Sequence, residues 1–409
     1  MPATGPDWLT QDCCGAGLPP SLKLRRTAEA LAEAGQPCDG ALRNARALRH
    51  KRSLSAIICA LALLSLGLAQ GAQPPRVPAS AQRVTATRLP QNPLITLDTS
   101  ASLGDDVNGP SIIRVPSWIP RPLGRYYAYF GHHKGQFIRL AYADAVTGPW
   151  KIYEPGVAPV RDTAFFRPQP DPPDGPTDQF YTHVASPEVH IDEAHKRLVM
   201  WTHGWWTNGE RWPVKLADAR AWARENGYGQ FTQSSESIDG LHFTLRPAIT
   251  KVSYLRVFPL DGYLYGMARL GQLLRSRDPL ATFEIGPNPF KGGPYADRVR
   301  HVATILRGRT LYVFFTGIGD APERIMMSTM DLAGDWQSWK ASAPVELLRP
   351  EAPYECPDLP NIPSAAGEIE GRARQLRDPG IFEEARKTFL FYSICGEQGL
   401  AAAELTFMK

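Results

Sequence analysis

Two short stretches hold the acids best suited to chemistry. In YECPDLPNIPS, residues 354–364, Glu355 precedes Cys356-Pro357 and Asp358 follows it; in LRDPGIF, residues 376–382, Asp378 precedes Pro379. Proline fixes its own φ and drives its predecessor towards extended geometry, so these acids are expected at stiff strand entrances. A third acid, Glu188, follows a proline in ASPEVHIDE. Carboxylates held in this way suit work on a glycosidic bond: one protonates the departing oxygen while another activates water or attacks the sugar. Asn108, Arg256, His301 and Arg377 stand at or beside other strand entrances, with His183 nearby and His132-His133 ending an aromatic strand. Such side chains would bind sugar hydroxyls and tune the acids.

Each of these residues also has a plainer reading. Glu188 would cap a turn, Asp378 would bond backbone amides in the last repeat, and Glu355 would lie in a surface loop. His301 beside Arg300 reads equally as a packed polar group. His132 and His133 are adjacent with no partner at ligand spacing, so no metal centre is read from them. The chain carries no nucleophile elbow, phosphate loop, paired CxxC or dinucleotide fingerprint.

The elements that must position these residues recur along the chain. The unit is a polar strand entrance, a short apolar strand, a turn, then a second strand dense in aromatic and branched residues. Its five copies contain NGPSIIRVP with GRYYAYFGHHKG, ASPEVHIDEAHKRLVMWTHG, SYLRVFPLDGYLYGMARL, RHVATILRGRTLYVFFTGIG, and LRDPGIFEEARKTFLFYSICGEQGLAAAEL. Each aromatic strand follows a Gly, Arg or Asp turn, as a hairpin requires. The expectation is an all-β chain, a five-bladed β-propeller with a short helical insertion in the second blade at residues 212–228. A β-sandwich with many hairpins is the competing architecture. In a propeller the innermost strands run along one axis, which would gather entrance residues from distant repeats into one pocket.

Composition agrees with a loop-rich β globule: 43% hydrophobic, 10% aromatic, 21% charged, with 35 Gly and 38 Pro. Residues 1–72 read separately, as a leader and signal peptide. Arg49, Lys51 and Arg52 flank an apolar run from Leu54 to Leu68, followed by the small residues Ala69, Gly71 and Ala72. The run is short for a membrane span, though an uncleaved anchor stays open. Residues 1–48 precede the usual n-region, so the start is either mis-assigned or an unpatterned leader. Residues 73–95 form a Pro-rich lead-in, and 96–409 the propeller.

Taking the eight Lys/Arg and five Asp/Glu of residues 1–72 from the totals of 45 and 41 leaves 37 and 36. So balanced a chain gives no footing for nucleic-acid binding. A secreted or periplasmic monomer is expected, and export would permit a disulfide between Cys356 and Cys395, the two cysteines beyond the leader.

NGPSIIRVP…GRYYAYFGHHKGQFIRLAYADAVTGPW, SPEVHIDEAHKRLVMWTHG and RDPGIFEEARKTFLFYS resemble the five-bladed propeller glycoside hydrolases of family 43 and their furanosidase relatives, over residues 95–407. The resemblance implies action on arabinofuranosyl, xylosyl or fructosyl linkages through an Asp base or nucleophile, a Glu acid and an Asp that tunes the acid. Where that family places its first-blade base, this chain reads Asn108-Gly109-Pro110; Glu188 matches the tuning Asp, and Arg256 stands where the third-blade acid is expected. YECPDL and RDP resemble motifs of the fructan and sucrose hydrolases, in reversed order along the chain. On this footing Glu355 is assigned as general acid, Asp378 as base or stabiliser and Glu188 as the tuning acid. Asn108, His132, His133, His183, Arg256, His301 and Arg377 are assigned to the substrate, an oligosaccharide or polysaccharide. No cofactor is required, and the resemblance admits a structural calcium ion near His301. Two rivals stay open: a carbohydrate-binding propeller without its base, and a sugar lyase in which His and Arg move the proton.

Overall fold

The computed structural model describes residues 84–167, 181–210 and 216–408. The stretch read as leader and signal peptide, residues 73–83 of the lead-in and residues 212–215 of the expected helix lie outside the described residues. The described residues open with two short strands, β1 (Val84–Arg88) and β2 (Ile95–Thr96). Five sheets follow. The first is β3 (Asn108–Arg114), β4 (Tyr126–Gly131), β5 (Ile138–Ala143) and β6 (Lys151–Val157); the second is β7 (Ala185–Asp192), β8 (Arg197–Trp206), β9 (Gly229–Ser237) and β10 (Thr244–Thr250). The third is β11 (Arg256–Leu260), β12 (Tyr263–Met267), β13 (Leu273–Ser276) and β14 (Glu284–Ile285). The fourth is β15 (Val299–Arg307), β16 (Thr310–Gly317), β17 (Ile325–Asp331) and β18 (Val345–Leu348), and the fifth β19 (Arg377–Glu384), β20 (Lys387–Ile394) and β21 (Gly399–Phe407). Each sheet is an antiparallel meander in chain order, so the five are the blades of a propeller.

The aromatic second strands explain how the blades stack. Successive side chains of a strand point to opposite faces, and a blade has a neighbour on both faces. In β4, Tyr126, Ala128 and Phe130 join the core against the fifth blade, while Tyr127 and Tyr129 join the core against the second. In β20, Phe389 and Phe391 face the first blade, and Leu390 and Tyr392 face the fourth. The third blade shares one core with the fourth, through Phe258, Tyr265 and Phe315, and another with the second, through Val257 and Trp201. Strands buried on both faces need apolar residues at consecutive positions, and YYAYF supplies them.

Closure of the ring uses residues from both ends of the domain. β1 pairs with β21, Val84 opposite Phe407 and Arg88 opposite Ala403, and so becomes the outer strand of the fifth blade. The lead-in read from composition therefore contains a structural strand, which its prolines conceal. The helical insertion is present as α1 (Leu216–Asn226), between β8 and β9 of the second blade. Its Ala223 packs on Trp205, with Trp222 and Tyr228 alongside.

Candidate functional site

The innermost strands β3, β7, β11, β15 and β19 surround the axis. Three of them share one local device. Gly109, Ser186 and Asp378 each precede a proline and hold a left-handed φ, of 59°, 47° and 50°. Proline disfavours the right-handed region in its predecessor, and a left-handed residue breaks the ladder. The register accordingly shifts between Asn108 and Ser111, Ala185 and Glu188, and Arg377 and Gly380. Non-glycine residues in this region cost about 1–3 kcal/mol each, so Ser186 and Asp378 are held against local preference.

Side chains and small voids alternate along the axis. At the entrance a void of about 20 Å³ is lined by Gln230, Tyr254, Arg269, Arg300, His301 and Gly367, with Ile318. Below it, the Tyr254 ring lies 4.0 Å between centroids from His301 on one side and 4.0 Å from His203 on the other. His203 in turn meets His183 edge to face at 5.8 Å. A second void of about 10 Å³ follows, where Gly109, Ser186, Tyr254, Arg256 and His301 meet. The Asp378 carboxylate, fully buried, abuts His301 Nδ1 from the fifth blade. All five blades thus contribute to one polar centre.

Arg256 is the next layer. Its guanidinium donates to the carbonyls of Val302 (3.2 Å), Pro187 (2.8 Å) and Pro110 (3.4 Å), and to Glu188 at 2.6 Å. It ties the third blade to the fourth, second and first, so the expected sugar-binding residue is an axial tie. Beyond it opens a cavity of about 440 Å³ on all five inner strands, holding Glu188, His190, Phe258 and Glu383. Burial raises the Glu188 carboxyl, but Arg256 and His190 (2.9 Å) outweigh that and hold it below the usual range. Glu188 therefore lines the larger cavity, whereas Asp378 stands with His301 at the entrance centre.

The remaining expected residues belong to a buried network beside the axis. Asn108 turns away from it, donating to Asp106 at 3.2 Å with its Nδ2 3.1 Å from His133. His133 pairs with Glu397 at 3.0 Å, Glu397 accepts from Arg377 at 3.0 Å, and Glu323 joins Arg377 (3.3 Å) to Arg300 (2.7 Å). Burial alone would lower the His133 pKa, yet Glu397 and Asp106 push it well above 6.5; in return His133 and Arg377 overcome burial and hold Glu397 at about 2. His132 pairs with Asp105 at 2.7 Å, and His183 donates from Nδ1 to the Tyr181 carbonyl at 2.8 Å. Asn108, His132, His133 and Arg377 line none of the axial voids described above. Residues 364–368 close over the entrance: Arg300 donates to the Ala365 and Gly367 carbonyls, and Glu368 pairs with Lys134 at 2.8 Å.

Glu355, expected as the general acid, lies elsewhere. It is fully buried and accepts five hydrogen bonds: two of 2.8 Å from Arg88 on β1, one of 3.0 Å from Tyr392, and two from the amides of Glu351 and Ala352. Its oxygens are committed, and none of these partners lines the axis, so it anchors the N-terminal strand instead. The neighbouring Cys356 is disulfide-bonded to Cys395, with Cα atoms 5.1 Å apart.

Calcium near His301 does not fit the residues present. Calcium takes six to eight oxygen ligands, whereas His301 is surrounded by Tyr254, Arg256, Arg300 and a single carboxylate, Asp378. Asp106, His133 and Glu397 do bring three donor atoms within 4.8 Å of one another, but Arg377 already occupies that acid. Sequence reasoning missed His203, Arg269, Gln230 and Glu397, which sit in loops or in the second and third strands of a blade without a motif. Tyr254 stands just before β11 in the third repeat, where its sequence suggested no role; its φ is left-handed, at 59°.

The fold is shared with a solved glycosyl hydrolase. A glycosyl hydrolase from Bacteroides ovatus superposes with a TM-score of 0.50 over 78% of this chain and 92% of its own, at 11% identity. A family 43 enzyme from Xanthomonas citri, solved with xylose, gives 0.47 over 79% and 90%, at 10% identity. At such identities the likeness to the Bacteroides protein is one of fold. No family model matches the chain. In sequence it is 32% identical over 342 residues to an uncharacterized protein of Acanthamoeba polyphaga mimivirus, covering 78% of this chain and 89% of that one. The chain belongs to the same family as that viral protein.

Proposed function

We propose that the protein recognises oligosaccharides at the axial entrance of a glycoside hydrolase-like propeller, without the paired-carboxylate hydrolysis of its fold relatives. One observation carries this reading. The three equivalent pre-proline positions facing the axis hold Gly109, Ser186 and Asp378, a single carboxylate among three. Hydrolysis by inversion or retention needs two carboxyl groups flanking one bond. Glu323 and Glu397 are engaged by arginines, Glu355 by Arg88, and Glu188 lines a different cavity. The polar groups left at the entrance, Tyr254 and His301 with Gln230, are suited to sugar hydroxyls. Export fits this reading, because the basic-apolar-small pattern at 49–72 resembles a signal peptide and the Cys356–Cys395 bridge suits an oxidising compartment.

A second reading keeps catalysis. His301 against Asp378 is a base held by an acid, an arrangement able to move a proton. A panel of plant and bacterial glycans separates the two. Binding by calorimetry with no reducing sugar and no unsaturated, ultraviolet-absorbing product is expected. Turnover by the wild type that Asp378→Asn abolishes would establish the second reading, and neither binding nor turnover would remove both.

A further inference from the structure

Among the described residues the entrance holds a positive charge, that of Arg269, without a protein partner. Arg269 follows Ala268 at the start of a short 3-10 turn and lines the 20 Å³ void with Gln230, Tyr254, Arg300 and His301. Arg300 is paired with Glu323, Arg377 with Glu397, and Arg256 with Glu188. Among the described residues the Arg269 guanidinium has no carboxylate or hydrogen-bond acceptor, although it is half-buried. Its charge is felt inside the site, since it is one of the groups that help burial keep His203 neutral. Gln230, opposite it, likewise makes no side-chain hydrogen bond among the described residues. A guanidinium that lines a cavity and has no acceptor of its own matches an oxyanion with its planar fork.

We propose that the entrance selects an anionic sugar, one bearing a carboxylate or sulfate group that Arg269 binds with Gln230 beside it. This rests on the glycan reading above and names the class of glycan. The void's size agrees with the assignment: about 20 Å³ takes a single small polar group, not a sugar ring. The charged substituent is the deep anchor, and the ring sits at the mouth, where residues 364–368 must give way to it. The Arg300–Glu323 pair, already neutralised, forms the wall behind.

The test compares oligogalacturonates, sulfated galactan oligosaccharides and neutral galacto-oligosaccharides of the same length by titration calorimetry with the full chain. One charged series is expected to bind roughly ten-fold or more tightly than the neutral series at low salt, as charge-assisted hydrogen bonds allow. The series that does so identifies the oxyanion, and added sodium chloride should shrink the preference. Arg269→Gln should bring charged and neutral ligands to parity at an unchanged melting temperature, and Arg269→Lys should keep part of the preference. Neutral glycans bound as well as charged ones, with Arg269→Gln without effect, would overturn the anionic selection and leave the glycan reading standing. Failure of all three series and of the wider panel would instead remove the glycan reading itself.

Discussion

His183 and His203 meet ring to ring inside the second blade, and both are held neutral chiefly by burial. The His183 pKa falls to about 4, against about 6.5 in an unfolded chain. A depressed imidazole contributes its stability above the unfolded value. As the pH falls from about 6.5 to about 4, the unfolded chain takes up a proton that the folded one refuses, and stability drains away. His133 has the opposite sign: its raised pKa contributes stability that is complete below 6.5 and is lost only as the pH rises through the folded value. Between pH 6.5 and 4 the slope therefore belongs to the imidazoles that burial depresses, His183 and His203 together with His301 and His132. Urea unfolding at pH 5 should give a stability on the order of 2 kcal/mol lower than at pH 7.5 from His183 alone. His183→Gln should make that dependence shallower, the other depressed imidazoles keeping the rest, whatever it does to the absolute value; a flat wild-type profile would contradict the argument.

At the scale of elements, the segment between β18 and β19 is a fastening device rather than a catalytic one. Glu355 holds Arg88 by two parallel bonds, and Arg88 belongs to the strand that completes the fifth blade. Removing one partner of a buried pair leaves the other charge uncompensated, at a cost of about 3–5 kcal/mol, reduced here because Arg88 is partly exposed. Glu355→Gln should lower stability by about 3 kcal/mol, read as a drop in denaturant midpoint, while glycan affinity at the entrance stays unchanged. An unaltered midpoint with lost affinity would return Glu355 to the site. Sequence pattern alone could not separate these roles. A proline-braced acid before a strand looks the same whether its oxygens face a channel or an arginine 267 residues away.

Across the whole molecule, Arg256 acts as a tie at the centre of the ring. One guanidinium joins the carbonyls of three other inner strands and the Glu188 carboxylate. Arg256→Met should destabilise the propeller by about 3 kcal/mol, because it strands both the carbonyls and the acid. Arg256→Met with Glu188→Gln should recover part of that loss, since removing both partners is milder than removing one. A calorimetric melting temperature for each variant measures the difference, and a double variant no better than the single would refute the coupling.

The amino-acid sequence by itself determined the five repeats, the hairpins within them and the aromatic-dense second strands. These follow from apolar runs and turn residues, which act over a few positions of chain. The helix in the second blade was legible for the same local reason. The tertiary structure alone decided which polar residues share a space. It turned Asn108 towards His133, committed Glu355 to Arg88, set Glu188 beyond Arg256, and brought Tyr254 and Arg269 to the entrance with His203 against Tyr254. Those outcomes depend on left-handed kinks and on partners from other blades, and the energy of a buried charge is settled by the partner it meets, not by its neighbours in sequence.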